Sequence, residues 1–427
     1  MYSFRLDQVG TKDVNLIFCV SPMRRGDWDE DRSDRYYTPA SMMTLVRPGK
    51  DIIILPGNML HIRDFAQFCA TMLGWQTWQF LFTSGDNYSL ETNARLELAS
   101  TIKRIIRRRG GSWLLVPYTR TPESEMLAQS IGLTLPPFGQ SSEWIAEYGC
   151  KAALHPHIGS SVDCQANTLG DIPGIRIVDG WYAETTAELV DAKEKLRACG
   201  YPNAVLKPNM GDGGQGIEFI GPRTSVDRYG FDMGPVVIER RLPLKRDAHG
   251  VVALSRHCIG GNIGPLTRQV FLNRNTVYGG TDILTNPDPG LERQTLEMMK
   301  GYVKLSQPEG MLGVDFLVTE ENGRDVAWFS DPNPRPTEAV PLIWFRSLYT
   351  GEYGFATAAS SRKFVPSIPI DEYWDEIKRL GLALILGETK TGAFPLCYLP
   401  GDTGVLGVFA STDEEVQEIL KRLEHLL

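Results

Sequence analysis

Apolar and polar positions follow two alternating rhythms along the first 150 residues of the chain. VNLIFCV (14–20) and DIIILPG (51–57) are short apolar runs with turn residues beside them, the pattern of buried strands. HIRDFAQFCATMLG (61–74) repeats its apolar positions at helical spacing and stops at glycine, and WQFLFT (78–83) is strand-like again. ETNARLELASTIKRIIRRRGG (91–111) predicts a long helix, SWLLVPYT (112–119) a strand, and Thr121-Pro122 a capped helix start with proline in its first turn. Strand and helix in alternation predict a mostly parallel, doubly wound α/β sheet. Between two of these runs, RRGDWDEDRSDRYY (24–37) is polar and aromatic and predicts a long loop.

The rhythm changes near residue 151. TTAELVDAKEKLRACG (185–200) predicts a helix, PVVIERRL (235–242) a buried strand ending in charge, and β-like stretches continue to about residue 331. The tail, with DEYWDEIKRLGLALILGE, AFPLCYLP, VLGVFA and STDEEVQEILKRLEHLL, predicts a separate small α/β unit whose last helix opens on a capping box of Ser411 and Glu414. No internal repeat or low-complexity segment interrupts this order. A chain of 427 residues accommodates two to three domains.

Composition narrows the function classes. Hydrophobic residues make up 42% and charged residues 22%, as in globular proteins, and the net charge of −8 argues against general binding to nucleic acid or anionic membranes. The basic run KRIIRRRGG is better explained by cations complementing a helix dipole before two stopping glycines. The opening MYSFRLDQVG lacks the apolar core of a signal peptide and no apolar run is long enough for a bilayer, so a cytoplasmic location is expected. Seven scattered cysteines without C-x-x-C spacing fit reduced, buried thiols, and the six histidines form no metal-ligand pattern; His155 and His157, either side of a proline, read as turn or packing residues.

Two stretches carry candidate chemistry. In AVLKPNMGDGGQGIEFI (204–220), Lys207 precedes a run of glycines and a strand-like tetrapeptide follows. Bare backbone N–H groups in such a loop can form a nest for phosphate oxygens, so the unit reads as strand, glycine lid, strand. Taken alone, a plain surface hairpin fits it equally well. In GVDFLVTEENGRDVAWFSDPNPRPTEA (313–339), alternation places Asp315 with Leu317 on one strand face and Phe329 with Asp331 on the next. A three-residue loop of Asn322, Gly323 and Arg324 would set Asp315 directly opposite Asp331, with Asn333 continuing the row and Arg335 just beyond. Facing carboxylates repel unless a cation lies between them, and Mg²⁺ suits oxygen ligands shared with nucleotide phosphates. An Asp-Pro-Asn-Pro turn after an ordinary hairpin is the blander reading.

From Lys151 to Ala339 the chain resembles the ATP-grasp ligase superfamily, on KPNMGDGGQG, VVIERRL, GVDFLV and DPNPR in that order. The resemblance implies an ATP-grasp fold of residues 151–365, preceded by a Rossmann-like domain (1–150) and followed by the small C-terminal unit (366–427). It implies that Lys151 and Lys207 contact the nucleotide and that the backbone of Gly211, Gly213, Gly214 and Gly216 forms the phosphate lid. Glu239 and Leu242 would occupy the adenine hinge, and Asp315, Asp331 and Asn333 would bind magnesium. Arg335 would face the transferred phosphate, with Arg256 and Arg268 as further candidates for holding an acyl phosphate. Asp331 stands where most members have Glu, and Asp247 is the candidate for the ribose. The implied activity is ATP-dependent joining of a carboxylate to an amine through an acyl phosphate, with ADP and phosphate released.

The layout and the tail, with GAFPLCYLP and GVLGVFAST, resemble more narrowly the peptide ligases related to that of pheganomycin biosynthesis. That implies antibiotic biosynthesis, a peptide N-terminus as the amine, and an unusual amino acid, a guanidino one among the options, as acyl donor. Asp27, Asp29, Glu30, Asp31 and Asp34 near Trp28, Tyr36 and Tyr37 could grip such a cation. The expected cofactors are ATP and Mg²⁺, and the expected partners are a small carboxylate, a peptide amine and a second copy in a homodimer, with no nucleic acid or membrane. Amino-acid (dipeptide) ligase, ATP-binding scaffold and small-molecule kinase are the alternative readings.

Overall fold

The computed structural model describes residues 14–19, 40–55, 60–83, 92–134, 137–158, 174–209, 216–227, 229, 231, 234–247, 249–272, 277–347 and 357–427. The acidic, aromatic stretch 24–37 and the lid glycines Gly211, Gly213 and Gly214 lie outside them. Strands β1 (Val14–Cys19), β2 (Ile52–Leu55), β3 (Phe80–Phe82) and β4 (Ser112–Pro117) form a wholly parallel sheet in the order β3-β2-β1-β4. The apolar runs of β1, β2 and β4 pack on both faces, while the edge strand β3 is only partly covered. Ile17, Ile52 and Ile54 pack toward one helical layer and Phe18, Ile53 and Leu55 toward the other.

A second sheet holds β5 (Gly180–Ala183), β6 (Ala204–Pro208), β7 (Glu218–Ile220) and β8 (Val236–Arg240) in the order β5-β8-β6-β7, all pairs antiparallel. Ala204, Leu206, Ile220, Val236 and Ile238 face a core shared with the helix Thr186–Ala198, which starts on a Thr185/Glu188 capping box. Alternation leaves Lys207 and Glu239 on the other face.

After a short β-ribbon of β9 (Arg246–Asp247) and β10 (Gly250–Val251), the third sheet takes up the rest of the chain. It contains β11 (Ala253–Ile259), β12 (Asn262–Ile263), β13 (Thr267–Leu272), β14 (Val277–Ile283), β15 (Met311–Glu321), β16 (Arg324–Asn333), β17 (Ala358–Phe364), β18 (Gly392–Leu399) and β19 (Thr403–Ala410). The order is β16-β15-β11-β13-β14-β17-β19-β18, with β12 paired to β11. The sheet does not break at residue 365: β19 pairs with β17 along seven residues, from Ala358 opposite Ala410 to Phe364 opposite Gly404. The tail strands β18 and β19 are buried at every position.

The last helix, Asp413–Leu423, is capped one residue later than its sequence suggests. Thr412, in extended conformation, accepts from the Glu415 N–H, while the Glu415 carboxylate accepts from the Ser411 N–H, so Ser411 and Glu414 are not the box. Among the described residues, no helix is long and apolar enough to cross a membrane.

Candidate active site

The second and third sheets meet at a buried charge cluster. Lys207 and Glu239, 5% and 2% exposed, lie diagonally on neighbouring strands, with Nζ 2.8 Å from Oε2. Lys207 also donates to the Ser330 hydroxyl at 3.1 Å, and the buried His155 places Nε2 3.0 Å from the other Glu239 oxygen. Burial alone would raise the Glu239 pKa, but the Lys207 ammonium and the His155 contact override it and bring it down to about 2. The same carboxylate, with Asp331 and Asp315 behind it, outweighs desolvation and keeps Lys207 above the ordinary lysine range. Lys151, on a short turn of 3-10 helix, comes within 3.9 Å of Asp331 Oδ1, the distance at which Lys207 also lies from that atom. Four predicted residues, Lys151, Lys207, Glu239 and Asp331, are thus brought together.

Asp315 lies directly opposite Asp331, by a route different from the one the sequence suggested. The connection between β15 and β16 is a two-residue turn, Asn322 (φ 51°) and Gly323 (φ 72°), with Glu321 paired to Arg324. Plain alternation from that turn would set Ser330 opposite Asp315. A bulge intervenes: Phe316 pairs with Phe329, Asp315 pairs with Asp331, and Ser330 is the extra residue. The bulge also separates Phe329 from Asp331. Phe329 enters the core against Phe316 and Tyr302, while Asp331 turns to the polar face.

Each Asp315 oxygen has a partner, Ser255 Oγ at 2.6 Å and Asn333 Nδ2 at 3.1 Å, and Gln269 donates in turn to Ser255 at 2.9 Å. Burial first, and the repulsion of Asp331 second, push the Asp315 carboxyl up to about 6 against these donors. Asp331 Oδ1 is buried without a hydrogen-bond partner, although both lysines stand 3.9 Å away. A hard cation would satisfy that oxygen and relieve the repulsion, so the residues fit Mg²⁺. Among the described residues no group of three or more His, Cys, Asp or Glu side chains could hold a metal. Two carboxylates and an amide make an incomplete cage, as suits an ion that shares its remaining positions with phosphates and water.

Around this group lie the other predicted residues. Gly216 has φ 71°, and a Cβ there would stand 2.6 Å from the Pro208 ring, so only glycine lets the two ends of the loop close on each other. Asn209, at the other end, accepts from the Ala152 N–H at 2.8 Å and ties the loop base to the Lys151 turn. Leu242 packs with Val178 and Trp328 in an apolar cluster. The Arg240 guanidinium lies 4.8 Å from the Trp328 ring.

Three assignments are not gathered here. Arg256, fully buried, points to the opposite face of β11 from Ser255. It donates to Thr295 Oγ1, Gly264 O and Glu292 O and pairs with the Glu292 carboxylate, so it anchors a helix, Pro289–Ser306, on the face away from Asp315. Arg268 shares the face of Leu254, away from Asp315, and its guanidinium forms a bidentate pair with Asp247 at 2.5 and 2.7 Å. That hydrogen bonding, ahead of the cost of burial, keeps Asp247 below the usual carboxylate range. Arg335 does project beyond Asn333, toward Tyr118.

Sequence reading missed Ser255, Ser330, His155 and Tyr118. For Ser255 and Ser330 there was no signal, since one depends on long-range strand pairing and the other on a bulge. His257 also went unassigned: it is buried beside Gly313 with Nε2 2.6 Å from Thr337 Oγ1, and burial lowers it to about 4.

No protein-family model matches the chain. The carbamoyl phosphate synthase large chain of Ralstonia nicotianae is 22% identical over 245 residues, 55% of this chain but 21% of that protein, so the match spans about a fifth of the relative. N5-carboxyaminoimidazole ribonucleotide synthetase from Thermus thermophilus superposes with a TM-score of 0.58 at 12% identity, covering 96% of this chain and 98% of that one. Biotin carboxylase from Campylobacter jejuni, solved as a complex with a β,γ-ATP compound, gives 0.58 at 13% identity, covering 96% and 90%. With its three sheets and the likeness to these structures over nearly its whole length, the chain has the ATP-grasp fold.

Proposed function

We propose that the chain is an ATP-dependent carboxylate–amine ligase working through an acyl phosphate. The observation that carries this reading is the pairing of Asp315 with Asp331 beside Lys207 and Lys151, two carboxylates and two ammonium groups at one junction. Magnesium, when bound, would neutralise phosphate charge. Asp315, Asp331 and Asn333 would hold it, with Ser255 fixing the Asp315 rotamer. Lys207 and Lys151 would hold the phosphates from the opposite side, each already oriented by a carboxylate. Glu239 keeps Lys207 charged until phosphate arrives.

Arg335 would face the γ-phosphate and hold it in line with the substrate carboxylate. A carboxylate oxygen attacks phosphorus and the bond to ADP breaks. The amine nitrogen then attacks the acyl carbon, phosphate leaves, and the amine loses its proton. No covalent bond to the protein is needed, so positioning and charge supply the rate.

We assign the amine to the free N-terminus of a peptide and the acyl donor to an unusual amino acid, on the likeness of layout and tail to peptide ligases. The test measures phosphate release and product mass over a matrix of carboxylates, guanidino amino acids included, against single amino acids and peptides of two to eight residues. Peptides outperforming single amino acids is the expected result. The reverse ranking would make the protein an amino-acid ligase.

A further inference from the structure

We propose that Tyr118 is a positioning residue for Arg335, so that the parallel N-terminal sheet sets the geometry of the phosphoryl-transfer site; this rests on the nucleotide reading above. Tyr118 directly follows β4, at the carboxyl end of a parallel strand, where doubly wound sheets present functional groups. It is 1% exposed, and its backbone N–H donates to the Cys19 carbonyl at 3.2 Å, fixing it to β1. From 217 residues away, Arg335 Nη1 donates to the Tyr118 hydroxyl at 2.8 Å and to the Pro336 carbonyl at 3.2 Å. The guanidinium also lies 5.6 Å from the centre of the phenol ring, so one side chain supplies both a hydrogen-bond acceptor and a stacking face.

The dock behind this contact is stiff. Gln140 donates to the Met311 carbonyl at 3.3 Å and accepts from the Glu309 N–H at 3.0 Å, pinning the connection after β4 to the start of β15. Arg120 spans the same seam to Glu309 at 3.2 Å. Gly310 runs so close to Gly139 that a Cβ on it would stand 2.5 Å from the Gly139 Cα. These contacts tie the segment around Tyr118 to the start of β15, which with β16 carries Asp315 and Asp331. An arginine on a long stem has much rotamer freedom to lose, and restricting it in the fold removes that cost from the moment of phosphoryl transfer.

A tyrosine that only fills the core would lose little on conversion to phenylalanine at this contact. The test uses calorimetry with MgADP and with the magnesium complex of the imido analogue of ATP, whose affinity ratio isolates contacts to the γ-phosphate. Wild type should bind the analogue more tightly than ADP. Arg335→Ala should abolish that preference, and Tyr118→Phe should cut it by roughly tenfold, the worth of a hydrogen bond to a charged group, with ADP affinity unchanged.

The double variant should match Arg335→Ala alone, because the tyrosine acts through the arginine. Leu115→Val, on the other face of β4, should lower the melting temperature and keep the preference. That variant separates lost stability from lost positioning if Tyr118→Phe is itself destabilised. A wild-type preference in Tyr118→Phe, or an effect that adds fully to Arg335→Ala, would overturn the proposal while leaving the nucleotide site intact. Failure of wild type to bind either nucleotide would overturn the nucleotide reading and this inference together.

Discussion

Replacing Lys207 by methionine separates what this lysine does for the fold from what it does for the ligand. The side chain keeps its length but leaves Glu239, 2% exposed, with His155 as its remaining partner at 3.0 Å. Removing one member of a buried ion pair strands the other and costs about 3–5 kcal/mol. Converting both, as Lys207→Met with Glu239→Gln, removes the stranded charge and should restore most of that loss.

Acid unfolding gives an independent reading. In wild type Glu239 titrates near 2 against an ordinary 4.5, so it contributes stability above pH 4.5 that is lost as pH falls toward 2, about 3 kcal/mol in all. In Lys207→Met the burial that raises this carboxyl is no longer offset by the ammonium, and most of that slope should vanish. Urea melts across pH 2–7 and MgATP calorimetry on the three proteins are the assays. The single and double variants should both lose nucleotide affinity, although only the single one is destabilised. A double variant that binds MgATP like wild type would refute the phosphate role of Lys207, and a single variant costing under about 1 kcal/mol would refute the ion-pair argument.

Asp331→Asn should weaken nucleotide binding in magnesium and leave binding in EDTA unchanged, and equal loss in both buffers would count against a metal role. Arg256→Met should cost about 3–5 kcal/mol by stranding the Glu292 contact while nucleotide affinity stays at the wild-type value, as measured by denaturation and calorimetry on one preparation. His257 is held neutral by burial, near 4 against 6.5, so the unfolded chain takes up its proton first as pH falls. Stability should drop by about 3 kcal/mol from pH 6.5 to 4, and His257→Gln should flatten that window.

Local chemistry made much of this molecule legible before its structure. The strand-helix rhythm of the first 117 residues maps onto a parallel sheet because burial on both faces leaves a continuous apolar run. Asp315 opposite Asp331 was foreseen from a three-residue loop, yet the chain reaches the same register with a two-residue turn and a bulge at Ser330. Two local errors cancelled, each invisible to alternation alone. The tail read as a separate unit because strand pairing across 46 residues, Ser361 to Gly407, leaves no local mark. Arg256 was misplaced for a simpler reason: a one-residue step along a strand reverses the face, and its neighbour Ser255, which carried no signal, holds the carboxylate.

Carboxylate activation by phosphoryl transfer is the central claim, and isotope transfer tests it most directly. With an accepted carboxylate labelled with ¹⁸O, MgATP and a peptide amine, the account predicts ADP, an amide product, and orthophosphate carrying one labelled oxygen per turnover. AMP with label in the nucleotide phosphate, or unlabelled orthophosphate alongside amide formation, would contradict it.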